Sequence, residues 1–170
     1  LVDRGLLEVD RRISRVIQTL STHGKENITI RHLLNHSSGY AAYIPFYKQI
    51  AQAHFSNRTG IMASRGAVDS IYNEIFRMKL ESLPGQVARY SDVGFILLGA
   101  VLETICGGMS VEKLATRDIF KPLGLSASGF INLTTMRSRG LSPDHSRIAA
   151  TAECPWRKRI IWGEVHDDNA

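Results

Sequence analysis

Hydrophobic positions recur along the chain at the three- and four-residue spacing of amphipathic α-helices, and they predict a series of helices joined by loops. The predicted helices cover residues 30–36, 45–56, 64–80, 93–105 and 111–120. Thr29 and Ser110 stand directly before two of them, and both residue types are favoured helix N-caps. Gly5 follows residues 1–4 as a helix C-cap would.

The segment 93–105 differs from the other helices because it is apolar on nearly all sides, with Glu103 as the main interruption. A helix of this kind is expected inside a larger body, not on its surface. Beyond residue 125 the pattern becomes irregular, with scattered Ser, Gly, Pro and Arg residues and few periodic runs. We therefore predict an α-rich chain whose residues 126–170 are rich in loops.

Composition places the chain among ordinary globular proteins, since 44% of its 170 residues are hydrophobic and 22% are charged. This length suits a single domain over residues 1–170. No run of about 18 apolar residues is present, so we expect no membrane span. The net charge of +5 permits attraction to anions. The basic residues are not interleaved with aromatic residues, however, so we expect a solvated basic surface and no nucleic-acid partner.

Three blocks of sequence carry a family resemblance: ITIRHLLNHSSGY at 28–40, LPGQVARYSDVGFILLGAVLETICGG at 83–108 and SVEKLATRDIFKPLGL at 110–125. In order and spacing they resemble the helical region of serine β-lactamase-like hydrolases, which include class C β-lactamases, penicillin-binding DD-peptidases and related esterases. The opening LVDRGLLEVD resembles the segment that precedes this region. The resemblance implies an α-rich segment, the helical lobe, of the α/β serine β-lactamase and DD-peptidase fold.

The family resemblance implies three catalytic motifs, of which this chain matches the second. A Ser-x-x-Lys supplies the nucleophile and a lysine, a Tyr-x-Asn or Ser-x-Asn supplies a proton carrier and an amide, and a Lys-Thr-Gly or His-x-Gly lines the opposite side. Tyr90-Ser91-Asp92 corresponds by position to the second motif. Tyr90 would then be the general base or proton shuttle, because a serine hydroxyl is a weak nucleophile until a neighbouring base takes its proton.

Asp92 departs from the family pattern, which usually has asparagine at this position. An ionised aspartate accepts hydrogen bonds but cannot donate one, so it could hold the lysine of the first motif but could not offer an amide proton to a substrate carbonyl. This difference favours an esterase or peptidase over a β-lactamase.

Two alternatives concern the same three residues. A different register would place Ser91-Asp92-Val93 on the Ser-Asp-Asn motif of class A enzymes, although the apolar helix that follows favours the tyrosine register. Ser91 or Asp92 could also serve only as the N-cap of that helix. Capping and catalysis are compatible, and the flanking blocks favour a catalytic origin for the motif.

The chain contains one Ser-x-x-Lys, at Ser110 to Lys113, but its position does not fit a nucleophile. It follows the tyrosine motif, whereas the family's nucleophile precedes it. We therefore expect Ser110 to be an N-cap and the nucleophile to lie upstream of Leu1. The closing GEVHDDNA resembles a stretch shortly before the third motif, which we expect just past Ala170. On this interpretation residues 1–170 form an incomplete domain, an internal fragment that is inactive alone.

Metal and cofactor sites are not expected from the sequence. His32 and His36 are four residues apart on a predicted helix, as a metal pair would be, but no third ligand is evident. Residues 164–169 are rich in oxygen ligands but lack the alternation and central glycine of a calcium loop. Cys106 and Cys154 have no metal spacing, and Cys106 fits a small core residue.

The resemblance thus implies a serine hydrolase that attacks an ester or amide carbonyl through an acyl-serine intermediate. Its substrate would be a small ester, a β-lactam or a peptidoglycan-like peptide. The alternative is a non-catalytic binding module of the cell envelope that retains the scaffold and has lost the chemistry.

Overall fold

The computed structural model describes residues 1–57, 65–130, 136, 140–141, 145–155, 157–162, 165–167 and 169. The chain forms two compact units, Leu1–Leu114 and Ala115–Ala170, and each is described here by itself. The expectation of one domain over residues 1–170 stays a prediction.

The first 29 residues of the first unit form short 3-10 turns, the first of which spans Val2–Arg4. Gly5 ends this turn in the left-handed conformation (φ 67°), as predicted. Further along, Ile13 donates its N–H to the carbonyl of Ile28 at 2.9 Å, and an isolated bridge pairs Arg12 with Thr29. These bonds hold the opening segment against the start of the first helix.

Helix α1 spans Ile30–Leu34 and begins at the predicted cap, Thr29. The Thr29 hydroxyl accepts from the backbone N–H of His32 at 3.3 Å, and the ring Nδ1 of His32 accepts from the N–H of Thr29 at 3.2 Å. This reciprocal pair is a capping box in which histidine takes the place of the usual Glu or Gln.

Helices α2 and α3 span Phe46–Asn57 and Arg65–Arg77. The second was predicted to continue to residue 80, and this boundary is wrong for a tertiary reason. The buried Lys25 donates from Nζ to the carbonyl of Phe76 at 2.5 Å and so caps the last turn of α3. Burial lowers the pKa of this lysine.

Helix α4 spans Asp92–Ile105, close to the predicted 93–105, and its N-cap is Ser91. One face enters the core through Val93, Leu97 and Val101, all fully buried. Most of the circumference of α4 is buried or half-buried, as predicted, while Phe95 is 46% exposed.

Helix α5 spans Val111–Ala115, and Ser110 caps it by accepting from the N–H of Lys113 at 3.3 Å. The predicted single helix to residue 120 instead changes to one π-helical turn at Thr116–Phe120. The second unit also contains an antiparallel hairpin of β1, Ala150–Cys154, and β2, Arg159–Trp162. This hairpin lies in the segment that the sequence predicted to be rich in loops.

The core of the first unit joins α1, α3, α4 and the first residue of α2 with the turns of the opening segment. Its buried members are Leu7, Ile13, Leu20, Ile28, Ile30, Leu33, Tyr40, Phe46, Ile75, Val93, Leu97, Leu98 and Val101. Within the described residues, no helix combines the length and the apolar character that a bilayer span needs.

Candidate active site

Tyr90 lies in an extended segment directly before α4, and its side chain is 70% exposed. We call residues 81–92 the tyrosine segment and residues 36–42, which follow α1, the supporting loop. Of the two, the supporting loop is the more buried, with residues 37–41 all in the interior. The tyrosine is therefore presented at the surface from a buried support.

A series of backbone hydrogen bonds fastens the tyrosine segment to the supporting loop. Each N–H donor belongs to the tyrosine segment and each carbonyl acceptor to the supporting loop. The pairs are Glu81 to Gly39 at 2.7 Å, Gly85 to Ser37 at 2.8 Å, Arg89 to His36 at 2.9 Å and Asp92 to Ala42 at 2.8 Å. Because these bonds lie both before and after Tyr90 in the chain, the backbone on each side of the tyrosine is fixed to the supporting loop.

Gly39 allows the two segments to approach this closely. Its φ of 86° lies in the left-handed region, and a Cβ at this position would stand 2.1 Å from the carbonyl oxygen of Ser82. At Gly94, inside α4, a Cβ would stand 3.4 and 3.5 Å from the hydroxyls of Ser91 and Ser38, which is ordinary van der Waals contact. A side chain at Gly39 would therefore push the tyrosine segment away from its support, whereas one at Gly94 would not.

Ser91 is almost fully buried, with 1% exposure, and both hydrogen-bonding functions of its hydroxyl are used. It donates to the carbonyl of Ala41 at 2.6 Å and accepts from the N–H of Gly94 at 3.0 Å. Asp92 is half-buried in the first turn of α4, where its negative charge is favourable for the helix dipole. Ser91 is thus a structural cap that also ties α4 to the supporting loop.

His36 contacts the tyrosine motif. On the sequence alone it is only half of a candidate metal pair, and that pair is not expected to bind metal. Its Nδ1 accepts from the backbone N–H of Ser91 at 3.2 Å. The centroid of its ring is 4.7 Å from that of Tyr90 and 4.7 Å from that of Phe95. The three exposed or half-buried rings form one aromatic cluster, which no sequence spacing reveals because His36 is 55 positions from Ser91.

The absence of a metal site is a prediction from the sequence. The structure shows which hydrogen bonds His32 and His36 make. His32 contributes Nδ1 to the cap of α1, and His36 contributes Nδ1 to Ser91. No group of three or more His, Cys, Asp or Glu side chains suited to a metal occurs in the described part of the chain. Of the acidic run at 164–169, Glu164 and Asp168 lie outside the described residues.

Ser91 and Ser110 offer a matched pair of helix caps that differ in burial. Ser91→Ala should lower the free energy of unfolding by about 2 kcal/mol, because it leaves a buried N–H and a buried carbonyl without partners. Ser110→Ala should cost only about 0.5 kcal/mol, because its bond to Lys113 is exposed. Denaturant unfolding followed by circular dichroism measures both values. Equal losses would show that the bond from Ser91 to the supporting loop contributes nothing.

Comparison with known proteins identifies the family to which the chain belongs. The family model described as Beta-lactamase matches residues 1–153. A relative from Escherichia coli (strain K12), named provisionally as a D-alanyl-D-alanine carboxypeptidase, is 31% identical over all of this chain and 40% of its own length. A penicillin-binding protein of Bacillus subtilis (strain 168) is 30% identical over 85% of this chain and 28% of its own length. The chain thus spans well under half the length of these relatives.

Solved structures of penicillin-binding protein homologues share the fold. The octameric homologue from Pyrococcus abyssi matches 96% of this chain and 34% of its own, with a TM-score of 0.63 and 21% identity. The homologue from Caulobacter crescentus matches 73% of this chain and 30% of its own, with a TM-score of 0.54 and 20% identity. These matches and the family model, which covers most of the chain, lead to one conclusion. The chain belongs to the Beta-lactamase family, with the fold of β-lactamases and penicillin-binding proteins.

Proposed function

We propose that this chain supplies the tyrosine motif of a serine hydrolase that opens an ester or amide carbonyl through an acyl-serine intermediate. The observation that carries the proposal is the placement of Tyr90, a 70% exposed ring on a backbone held by hydrogen bonds on both sides. A proton carrier must come within hydrogen-bonding reach of its substrate, and an exposed ring on a fixed backbone meets this requirement. Membership of the Beta-lactamase family supports this assignment.

In the proposed reaction Tyr90 takes the proton of the attacking serine and returns it to the leaving group. A phenol ordinarily ionises near pH ~10, so the role requires a neighbouring cation that favours the phenolate. The lysine of a Ser-x-x-Lys motif would provide that charge. Asp92 would hold this lysine through its carboxylate, since it can accept but not donate hydrogen bonds.

The nucleophile is proposed to lie outside residues 1–170, and the chain is proposed to be the helical lobe of the α/β fold. Ser110 is the serine of the one Ser-x-x-Lys in the sequence, but its hydroxyl accepts from the backbone of Lys113 as a helix cap. The lysine side chain at this position is exposed to solvent. A cap of this kind explains Ser110 without any catalytic role.

The proposed substrates are peptides that end in D-alanyl-D-alanine, or related esters, ahead of β-lactams. The name of the Escherichia coli relative supports the peptide class. Asp92 argues against efficient β-lactam turnover, because it offers no amide proton to the substrate carbonyl.

Covalent labelling tests where the nucleophile is. The full-length protein is incubated with a fluorescent penicillin and digested, and the labelled peptide is identified by mass spectrometry. We expect the label on a serine outside residues 1–170 and no label on residues 1–170 expressed alone. The matched control is Ser110→Ala, which should label as well as the parent. A label on Ser110 would overturn the assignment.

A second candidate is a non-catalytic module that binds peptidoglycan, and the observation that favours it is aspartate in place of the family's asparagine at residue 92. The two candidates differ in one result. A binding module would retain peptidoglycan in a pull-down but would form no acyl-enzyme and release no product from esters or peptides.

A further inference from the structure

We infer that His36 is a positioning residue that holds Tyr90 in its working orientation; this inference rests on the proposed function of Tyr90. It assigns a role in the site to a histidine outside the three catalytic motifs. Three separate observations support it.

The first observation is that His36 contacts the chain on both sides of the tyrosine. Its backbone carbonyl accepts from the N–H of Arg89, the residue before Tyr90, at 2.9 Å. Its Nδ1 accepts from the N–H of Ser91, the residue after it, at 3.2 Å. One residue therefore holds the peptide between Tyr90 and Ser91 and also the backbone N–H of Arg89. Because Nδ1 is the acceptor, the proton of the neutral ring is on Nε2.

The second observation is the stacking of the rings. The imidazole lies with its centroid 4.7 Å from those of Tyr90 and Phe95, at interplanar angles of 43° and 26°. Contacts of this kind favour particular ring orientations. Phe95 belongs to α4, whose opposite face is buried in the core, so the histidine ring connects a fixed helix to the tyrosine ring.

The third observation is the backbone of His36, which ends α1 in the left-handed region. The N–H of His36 donates to the carbonyl of Leu33 at 3.2 Å, and the N–H of Ser37 donates to the carbonyl of His32 at 2.8 Å. This is a Schellman ending of α1, with His36 at the position where glycine is usual. Its φ of 57° is in the left-handed region, which disfavours a side chain. A side chain at this position has a backbone cost that glycine would not have, and the contacts of the imidazole with the tyrosine motif and Phe95 offset that cost.

The left-handed backbone makes a clean test possible. Glycine and asparagine are both tolerated at this φ, so each can replace His36 and remove its ring with little expected loss of stability. His36→Gly relieves the backbone and removes both the ring and the acceptor, so we expect the melting temperature to stay within about 4 °C of the parent. His36→Asn suits the same backbone and keeps an acceptor near Nδ1, but it removes the ring. The full-length protein is prepared with 3-fluorotyrosine, and the Tyr90 signal is assigned by its loss in Tyr90→Phe.

In His36→Gly we expect the fluorine signal of Tyr90 to narrow and move toward that of a free side chain. We also expect kcat on a p-nitrophenyl ester to fall by ~10²-fold with KM largely kept, because misplacement of a reacting group has effects of this size. His36→Asn should recover part of kcat through the retained acceptor.

The outcomes separate this inference from the proposed function. An unchanged Tyr90 signal in both variants would overturn the role of His36, whatever happens to turnover. A moved signal together with full activity in Tyr90→Phe would support His36 as the positioning residue and reject catalysis by Tyr90. If His36→Gly does not fold, the same comparison is decided by His36→Asn.

Discussion

The Tyr90→Phe variant of the full-length protein should hydrolyse esters and D-alanyl-D-alanine peptides at least ~10²-fold more slowly than the parent, since general acid–base groups contribute effects of this size. The change removes only the hydroxyl and keeps the ring that contacts His36. Tyr90 is 70% exposed, so the free energy of unfolding should stay within about 0.5 kcal/mol. Steady-state kinetics and denaturant unfolding of the same preparations measure the two quantities.

The matched control for Tyr90 is Tyr72→Phe. Tyr72 is half-buried on α3, where its ring lies 6.3 Å from that of Phe76. Loss of its hydroxyl should leave kcat unchanged. Full turnover in Tyr90→Phe, or an equal decrease in both variants, would refute the role given to Tyr90.

Gly39→Ala should have the largest effect on stability, a loss on the order of 3 kcal/mol. Two costs combine at this position: the left-handed backbone at φ 86°, and a Cβ that would stand 2.1 Å from the carbonyl oxygen of Ser82. The clash is with backbone, so no side-chain rotation can relieve it. The bond from the N–H of Glu81 to the carbonyl of Gly39 would lengthen, and the tyrosine segment would move off its support.

Gly5→Ala is the control that separates the two costs. Gly5 has φ 67° but no atom within 4 Å of a Cβ, so it carries the backbone cost alone, about 1 kcal/mol. Denaturant unfolding compares the two variants, and hydrogen exchange at residues 81–92 reports on the support. Equal losses in the two variants would show that close approach at Gly39 is not what holds the tyrosine segment.

Local signals predicted the helix starts well. Thr29, Ser91 and Ser110 cap the helices that follow them, and Gly5 takes the left-handed conformation expected of a C-cap. Such features depend on bonds between residues three or four apart, and these are readable from the chain itself. The assignment of Tyr90 to the site comes from its motif and its neighbouring blocks, and it stays a prediction.

Distant contacts decided what the sequence missed. Helix α3 ends at Arg77 because Lys25, 51 positions away, caps the carbonyl of Phe76. The apolar pattern of α4 predicted a buried helix, and most of its circumference is buried or half-buried, but the pattern did not predict that Phe95 is exposed beside His36. Hydrophobic periodicity predicts which face of a helix is apolar, but it does not predict which residues pack against that face.

The sequence by itself determined the family resemblance, most of the helices and the motif that contains Tyr90. Only the tertiary structure decided that Ser91 is a buried cap, that Gly39 permits the close approach, and that His36 lies against the tyrosine. The physical reason is separation along the chain: these interactions join residues far apart in sequence, and they exist only once the core has brought the supporting loop and α4 together.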